Sequence, residues 1–202
     1  MAIALEIPQA QIRFDAEFLS QPTADRLQSQ LMTEIDWQQR SIKLFGKTIP
    51  QPRLVAWYGD PGASYTYSGL TWEPLPWTET LRSLKQEVEA AVGGYLNSNP
   101  SFNSVLLNLY RTGQDSMGWH SDDEPELGRN PIIASLSLGA TRRFSLQHKS
   151  QKQLKHKLDL THGSLLIMAG ETQHYWRHQV AKTTRVPSPR INLTFRTVQP
   201  QR

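Results

Sequence analysis

The sequence predicts a single α+β domain, with helices in its first half packed on a double-sheet jelly roll built mostly from its second half. Three observations predict it. The chain has 202 residues, 38% hydrophobic and 20% charged, which suits one core large enough to surround a site. Two apolar stripes of helical period precede residue 100, and from about residue 104 the pattern changes to short strands separated by turn-rich connections. Helices followed by a run of strands give an α+β layer order, in which a jelly roll closes its sheet edges and leaves a central pocket.

The first helix follows Pro22 and Thr23, where Leu27, Leu31 and Ile35 recur every four residues and share one face. The second follows Thr78, with Leu81, Leu84, Val88 and Val92 as its stripe and Gly93-Gly94 as the expected stop. Strands are expected over 105–111, 132–138, 143–148, 164–168 and 191–198. No internal repeat or low-complexity tract interrupts this order.

Composition narrows the chemistry. No apolar run approaches the ~18 residues of a membrane span, so no membrane is expected. The opening residues lack the basic start and long apolar stretch of a secretory signal, which points to the cytoplasm, or the nucleus in a eukaryote. With no cysteine, any metal must be held by nitrogen and oxygen ligands. A net charge of +4 and a pI near 9.4 suit a polyanionic partner but are common without one. Lys149, Lys152, Lys155, His156 and Lys157 crowd one polar segment, and Lys182 and Arg185 lie in another. A solvated loop is the bland reading of both.

Three short patterns carry chemistry. In Gly118-Trp119-His120-Ser121-Asp122, extended backbone would turn His120 and Asp122 to one side, and a second imidazole is available at His178. Two imidazoles and a carboxylate on one side of an ion leave the opposite positions open, as ferrous oxygenases require. Six histidines and eight aspartates would give such a pair by chance in roughly one chain in four, and a zinc hydrolase could use the same ligands. The second pattern, Arg190-Ile191-Asn192-Leu193-Thr194-Phe195-Arg196, alternates strictly, with two guanidiniums, an amide and a hydroxyl on one strand face. Such donors suit a small dicarboxylate such as 2-oxoglutarate and would be idle in a zinc hydrolase. In the third, Asn108 and Tyr110 share a face, either as further partners of that molecule or as buried polar groups satisfied within the protein.

Taken in order, the N-x-Y strand, H-x-D, distant histidine and R-x-N-x-T-x-R strand resemble the AlkB family of Fe(II)- and 2-oxoglutarate-dependent dioxygenases. The resemblance extends through Pro131 to Gly139 and His162 to Met168 and covers roughly residues 42 to 198. It implies a double-stranded β-helix core over about 99–202, behind helices and a nucleotide-recognition lid over about 1–98. It also implies iron held by His120, Asp122 and His178, and 2-oxoglutarate held by Arg190 and Arg196 with Asn108, Tyr110, Asn192 and Thr194.

Within the family, Leu44-Phe45-Gly46-Lys47 and Tyr58-Gly59-Asp60 through Gly69 look most like the branch that repairs double-stranded DNA. The chain departs from that branch at Leu44, at Tyr67, where phenylalanine is usual, and at Arg143, where an aspartate is often found. By resemblance, Phe45 would fill the gap left by an extruded base, Tyr67 would stack on that base, and Arg53 and Glu124 would lie near the nucleic acid. Glu124 reads equally as a solvent carboxylate in an acidic turn. The 149–157 loop would grip phosphates. The expected activity is oxidative demethylation of N1-methyladenine and N3-methylcytosine in DNA by a monomer, with Fe(II) as metal and 2-oxoglutarate and dioxygen as co-substrates. The alternatives are an RNA or single-strand demethylase and a non-catalytic nucleic-acid-binding module.

Overall fold

The structure is a computed structural model that describes residues 2–44, 47–67, 70–185 and 188–199, leaving aside the side chains of 42–44, 47, 65–67 and 70–72. Short strands β1 (Ile3–Leu5) and β2 (Gln11–Asp15) precede α1 (Gln21–Glu34). Two hairpins, β3 (Ser41–Leu44) with β4 (Lys47–Pro50) and β6 (Tyr65–Tyr67) with β7 (Leu70–Trp72), flank β5 (Leu54–Gly59). After α2 (Glu79–Leu96) come β8 (Ser104–Tyr110), β9 (Met117–His120), β10 (Ile133–Gly139), β11 (Arg142–His148), β12 (Lys155–Leu160) and β13 (Ser164–Ala169). The single turn α3 (Thr172–Tyr175), β14 (Trp176–Val180) and β15 (Arg190–Arg196) complete the chain.

Two antiparallel sheets make the core. The larger has seven strands in the order β1-β2-β13-β10-β15-β8-β5, and the smaller has four, β12-β11-β14-β9. On one face of the larger sheet, Leu107, Leu136, Leu193 and Phe195 meet the helical stripes Leu27–Leu31 and Leu81–Leu84–Val88–Val92 in one buried cluster. Its other face contributes Ile133, Leu166 and Met168 to a second cluster with Phe144, Leu146 and Trp176 of the smaller sheet. Alternation along each strand sends successive side chains to these two clusters, so the polar residues of the inner face end up between the sheets.

The structure departs from the expected elements in two ways. Strands also fill the first half: β2 pairs with β13 and β5 with β8, both inside the larger sheet. These stretches are short and are read as strands only once their partners, far along the chain, are known. The second helix also runs through Gly93-Gly94 and ends at Asn97, whose backbone is left-handed (φ 49°). Asparagine tolerates that conformation at a helix end, and the apolar contacts of Val92, Tyr95 and Leu96 with the first cluster offset the conformational penalty of two helical glycines. At the other end the Thr78 side chain accepts the Leu81 amide at 3.2 Å, which starts the helix where expected.

Gly139 shows why the Pro131–Gly139 stretch ends as it does. Its φ is +90°, and a β-carbon there would lie 2.5 Å from the carbonyl oxygen of Pro189. That close approach brings β10 alongside Arg190, the first residue of β15.

Candidate active site

A pocket of about 500 Å³, counted out to its open mouth, lies between the two sheets. Asn108, Tyr110, Arg190, Asn192, Thr194 and Arg196 line its large-sheet wall, facing His120, Asp122 and His178. The register explains the large-sheet wall, since Arg190 pairs with Tyr110 and Asn192 with Asn108 across β15 and β8. On the other side, His178 of β14 pairs with His120 of β9.

The three potential ligand atoms of His120, Asp122 and His178 lie within 4.8 Å of one another. That is close to the span one ion bridges with bonds of about 2.1 Å. The route to this convergence differs from the expected one. β9 ends at His120, so Asp122 lies past the strand end in a bend and is not presented by strand alternation. Its backbone amide donates to Oε1 of buried Gln173 at 2.9 Å, and its Oδ1 accepts from Arg196 Nη2 at 2.6 Å.

Asp122 and His178 are held in their metal-binding forms by their surroundings. Burial alone would raise the Asp122 carboxyl, but the Arg196 guanidinium, with His178 and His120, holds it below the usual carboxylate range. Burial and the neighbouring His120 imidazole push His178 down to about 3, so its ring is neutral. Phe144 stacks on that ring, with centroids 5.0 Å apart. Nδ1 of His120 lies 2.8 Å from the Gly118 carbonyl; a proton donated there leaves the Nε2 lone pair for a metal.

The large-sheet wall is shaped for an anion. Arg190 is 1% exposed, and its Nη2 donates to Ser137 Oγ at 2.8 Å. Its Nε and Nη1 are buried with no hydrogen-bond partner among the described residues. Burial drives the guanidinium down to about 10, opposed by Tyr110 and reinforced by Arg142. A buried cation with two idle donors on a pocket wall is a seat for a carboxylate, which is the fit that 2-oxoglutarate requires. The donor set opposite, two imidazoles and a carboxylate, is likewise the set that Fe(II) takes in open-faced sites.

The remaining expected site residues divide. Asn192 and Thr194 line the pocket but are bonded within its wall: Asn192 Nδ2 donates to Ser135 Oγ and to the Leu136 carbonyl, and Thr194 donates to Asn192 Oδ1. They stiffen the ledge more than they extend it. Arg53 is only 4% exposed, and its Nε donates to Asn108 Oδ1 at 2.6 Å. It is therefore tied to the pocket wall and does not face outward to a nucleic-acid backbone. With Oδ1 engaged, Asn108 offers the pocket its Nδ2 donor.

Other expected contacts lie away from the pocket. Glu124 is half-buried at the start of the single-turn helix Pro125–Leu127 and does not line it. Lys149, expected to grip phosphate, instead donates to Asp123 at 2.9 Å and to the Gln173 carbonyl at 2.8 Å. Phe45 lies outside the described residues. Tyr67 closes β6, and its side chain is outside the description.

Sequence reasoning missed Ser135, Ser137, Gln173 and Arg142. The two serines had a signal, since they alternate with Leu136 and Leu138 on the pocket face of β10. Gln173 and Arg142 had none. Arg142 is a buried staple that donates to the Thr112, Asp115 and Ala181 carbonyls.

Comparison with known proteins agrees with this geometry. The family described as the 2OG-Fe(II) oxygenase superfamily matches residues 11–196. The chain is 47% identical over 192 residues to the human protein named alpha-ketoglutarate-dependent dioxygenase alkB homolog 3, covering 91% of this chain and 64% of that one. It thus spans a little under two thirds of the length of that relative. It is 38% identical over 187 residues to the Mus musculus DNA oxidative demethylase ALKBH2, covering 88% of this chain and 76% of that protein. The solved structure of OsALKBH1 superposes with a TM-score of 0.67 at 17% identity, covering 98% of this chain and 100% of that one, a likeness of fold alone. With the triad and the arginine strand of the matched region facing one pocket, the chain belongs to the AlkB family within the 2OG-Fe(II) oxygenase superfamily.

Proposed function

We propose that this protein oxidatively demethylates N-alkylated nucleobases, with N1-methyladenine and N3-methylcytosine in DNA as substrates. The observation that carries the reading is the juxtaposition, in one pocket, of a His-Asp-His ligand set with the buried Arg190 and its two idle donors. The likeness to a relative named a DNA oxidative demethylase supports the choice of substrate. Fe(II), when bound, supplies the oxidising chemistry by which dioxygen hydroxylates the methyl carbon while 2-oxoglutarate is converted to succinate and carbon dioxide. The resulting hemiaminal breaks its own carbon–nitrogen bond, releasing formaldehyde and the restored base.

The protein's residues do the positioning. His120, Asp122 and His178 would hold the metal. Arg190 and the Nδ2 of Asn108 would fix the co-substrate, and Arg196 holds the Asp122 carboxylate charged and oriented. The apolar walls Leu106, Phe144 and Val180 keep water out, which strengthens these electrostatic contacts. A paired base hides its Watson–Crick edge, so the target must be unpaired or extruded, and a methylated pair is the cheaper one to open.

The experiment is mass spectrometry of methylated duplex DNA, single-stranded DNA and RNA after incubation with protein, Fe(II), ascorbate and 2-oxoglutarate, repeated with Phe45→Ala. Loss of 14 mass units (about one methylene exchange, as CH3 for H) with matching succinate supports demethylation. A duplex-selective defect in Phe45→Ala supports DNA duplexes over single strands or RNA. Succinate at background with every methylated oligonucleotide refutes the reading.

A further inference from the structure

The smaller sheet has an outer face that no part of the mechanism uses. Its burial alternates, so that His156, Leu146 and His178 point inward while Lys155, Lys157, Arg143, Ser145 and Arg177 lie on the other side. At its open edge on β9, Trp119 is 38% exposed, one of the few large apolar side chains on the surface. The Arg177 guanidinium lies 5.1 Å from the centre of the Trp119 ring and is braced by Nη2 donating to Gln147 Oε1 at 2.6 Å. Arg177 Nε is buried with no hydrogen-bond partner among the described residues.

Charge on this face is one-sided. The carboxylate of Asp159 is bound by Arg143, and Asp123, near the edge, is bound by Lys149. Among the described residues no carboxylate pairs with Lys155, Lys157 or Arg177. Four strands at about 4.8 Å spacing put the lysines roughly 14 Å from Trp119 across the sheet. The far edge is therefore cationic, and the near edge is an indole beside a guanidinium. Trp119 and Arg177 each precede a metal ligand, His120 and His178, in sequence. The platform thus backs directly onto the site.

We propose that this outer face is a track for the single-stranded nucleic acid flanking the target base: one base stacks on Trp119, and the phosphates beyond it cross towards Lys157 and Lys155. The inference rests on the nucleic-acid reading above and adds a surface to it. An indole serves any base, because every base has a π-face, and lysines read charge without sequence. The track therefore gives affinity and reach without sequence choice.

The test is fluorescence anisotropy with labelled single strands of roughly 15 nucleotides, set beside a trinucleotide too short to cross the sheet. Lys155→Ala/Lys157→Ala should bind the long strand about tenfold more weakly at low salt. Its log affinity should fall less steeply with log salt, the slope being shallower by about 1.4 for two lost phosphate contacts. Trp119→Leu should lose about 5- to 150-fold for the same strand, with Mn(II) binding unchanged to show that His120 is undisturbed. Trinucleotide affinity should move less than about twofold in the lysine double variant. The proposal is overturned if the lysine double variant keeps wild-type affinity and salt slope for the long strand. That result in an active demethylase refutes the track alone. Failure of the wild-type protein to demethylate any oligonucleotide, with the track's affinities as expected, refutes the demethylase reading alone.

Discussion

Replacing Arg190 by methionine should separate stability from co-substrate binding, because this guanidinium burdens the empty protein and serves the loaded one. In the fold it is 1% exposed and burial pushes its pKa well below the usual guanidinium range, down to about 10. A basic group whose folded pKa is depressed makes the charged fold less stable at every pH below that value. The shift corresponds to a penalty on the order of 3 kcal/mol at neutral pH. Methionine removes the charge and fills similar space, so the metal-free, co-substrate-free variant should be as stable as wild type or up to a few kcal/mol more stable. It also removes two charge-assisted donors, at about 1.5 kcal/mol or more each, which predicts about a 100-fold weaker affinity for 2-oxoglutarate. Urea unfolding midpoints and anaerobic calorimetric titration of 2-oxoglutarate into Mn(II)-loaded protein measure the two effects. A variant that binds 2-oxoglutarate within about threefold of wild type, or whose empty form is destabilised by more than about 2 kcal/mol, refutes the assignment of those donors to the co-substrate.

Three further outcomes follow from the same geometry. Both His120→Ala and Asp122→Ala should abolish turnover, but only Asp122→Ala should also destabilise, by about 3–5 kcal/mol, since it removes the buried partner 2.6 Å from Arg196; equal melting temperatures for the two variants would argue against that pair. The metal-free protein should lose stability as pH falls from about 6.5 towards 3: an unfolded histidine takes up its proton near 6.5 while folded His178 resists until about 3. The unfolded state therefore binds more protons across that window, at up to about 1.4 kcal/mol per pH unit, and unfolding midpoints at pH 7, 6 and 5 should show a slope that His178→Gln reduces. Arg53→Met should cost about 1.5–3 kcal/mol of stability and weaken 2-oxoglutarate binding through Asn108, while nucleic-acid affinity measured by anisotropy stays within about twofold; loss of nucleic-acid affinity alone would return Arg53 to the outer surface.

The sequence was most legible where side chains act through strand alternation. The pattern from Arg190 to Arg196 needs only period two to place four polar groups on one wall, and they line the pocket together. Helical stripes were legible for the same reason, as Leu81, Leu84, Val88 and Val92 are all buried. Legibility failed where long-range contacts decide the outcome. β2 and β5 are strands because β13 and β8 lie beside them, and no local preference announces that. Asp122 reaches the metal position because Gln173, 51 residues away, holds its amide. The bond from Arg53 to Asn108 was not legible either, because a resemblance gives a residue's position along the chain but not the direction of its side chain, here held by a buried amide 55 residues on.

The contact between Arg196 and Asp122 has a consequence for the molecule as a whole. Arg196 ends the last strand of the large sheet, and Asp122 follows the edge strand of the small one, so a single ion pair rivets the two layers at the point of reaction. The iron ligands hang from one layer and the diacid seat from the other. A chain whose layers have parted cannot hold both reactants at once. Partial unfolding therefore silences the protein and does not leave a loose oxidant.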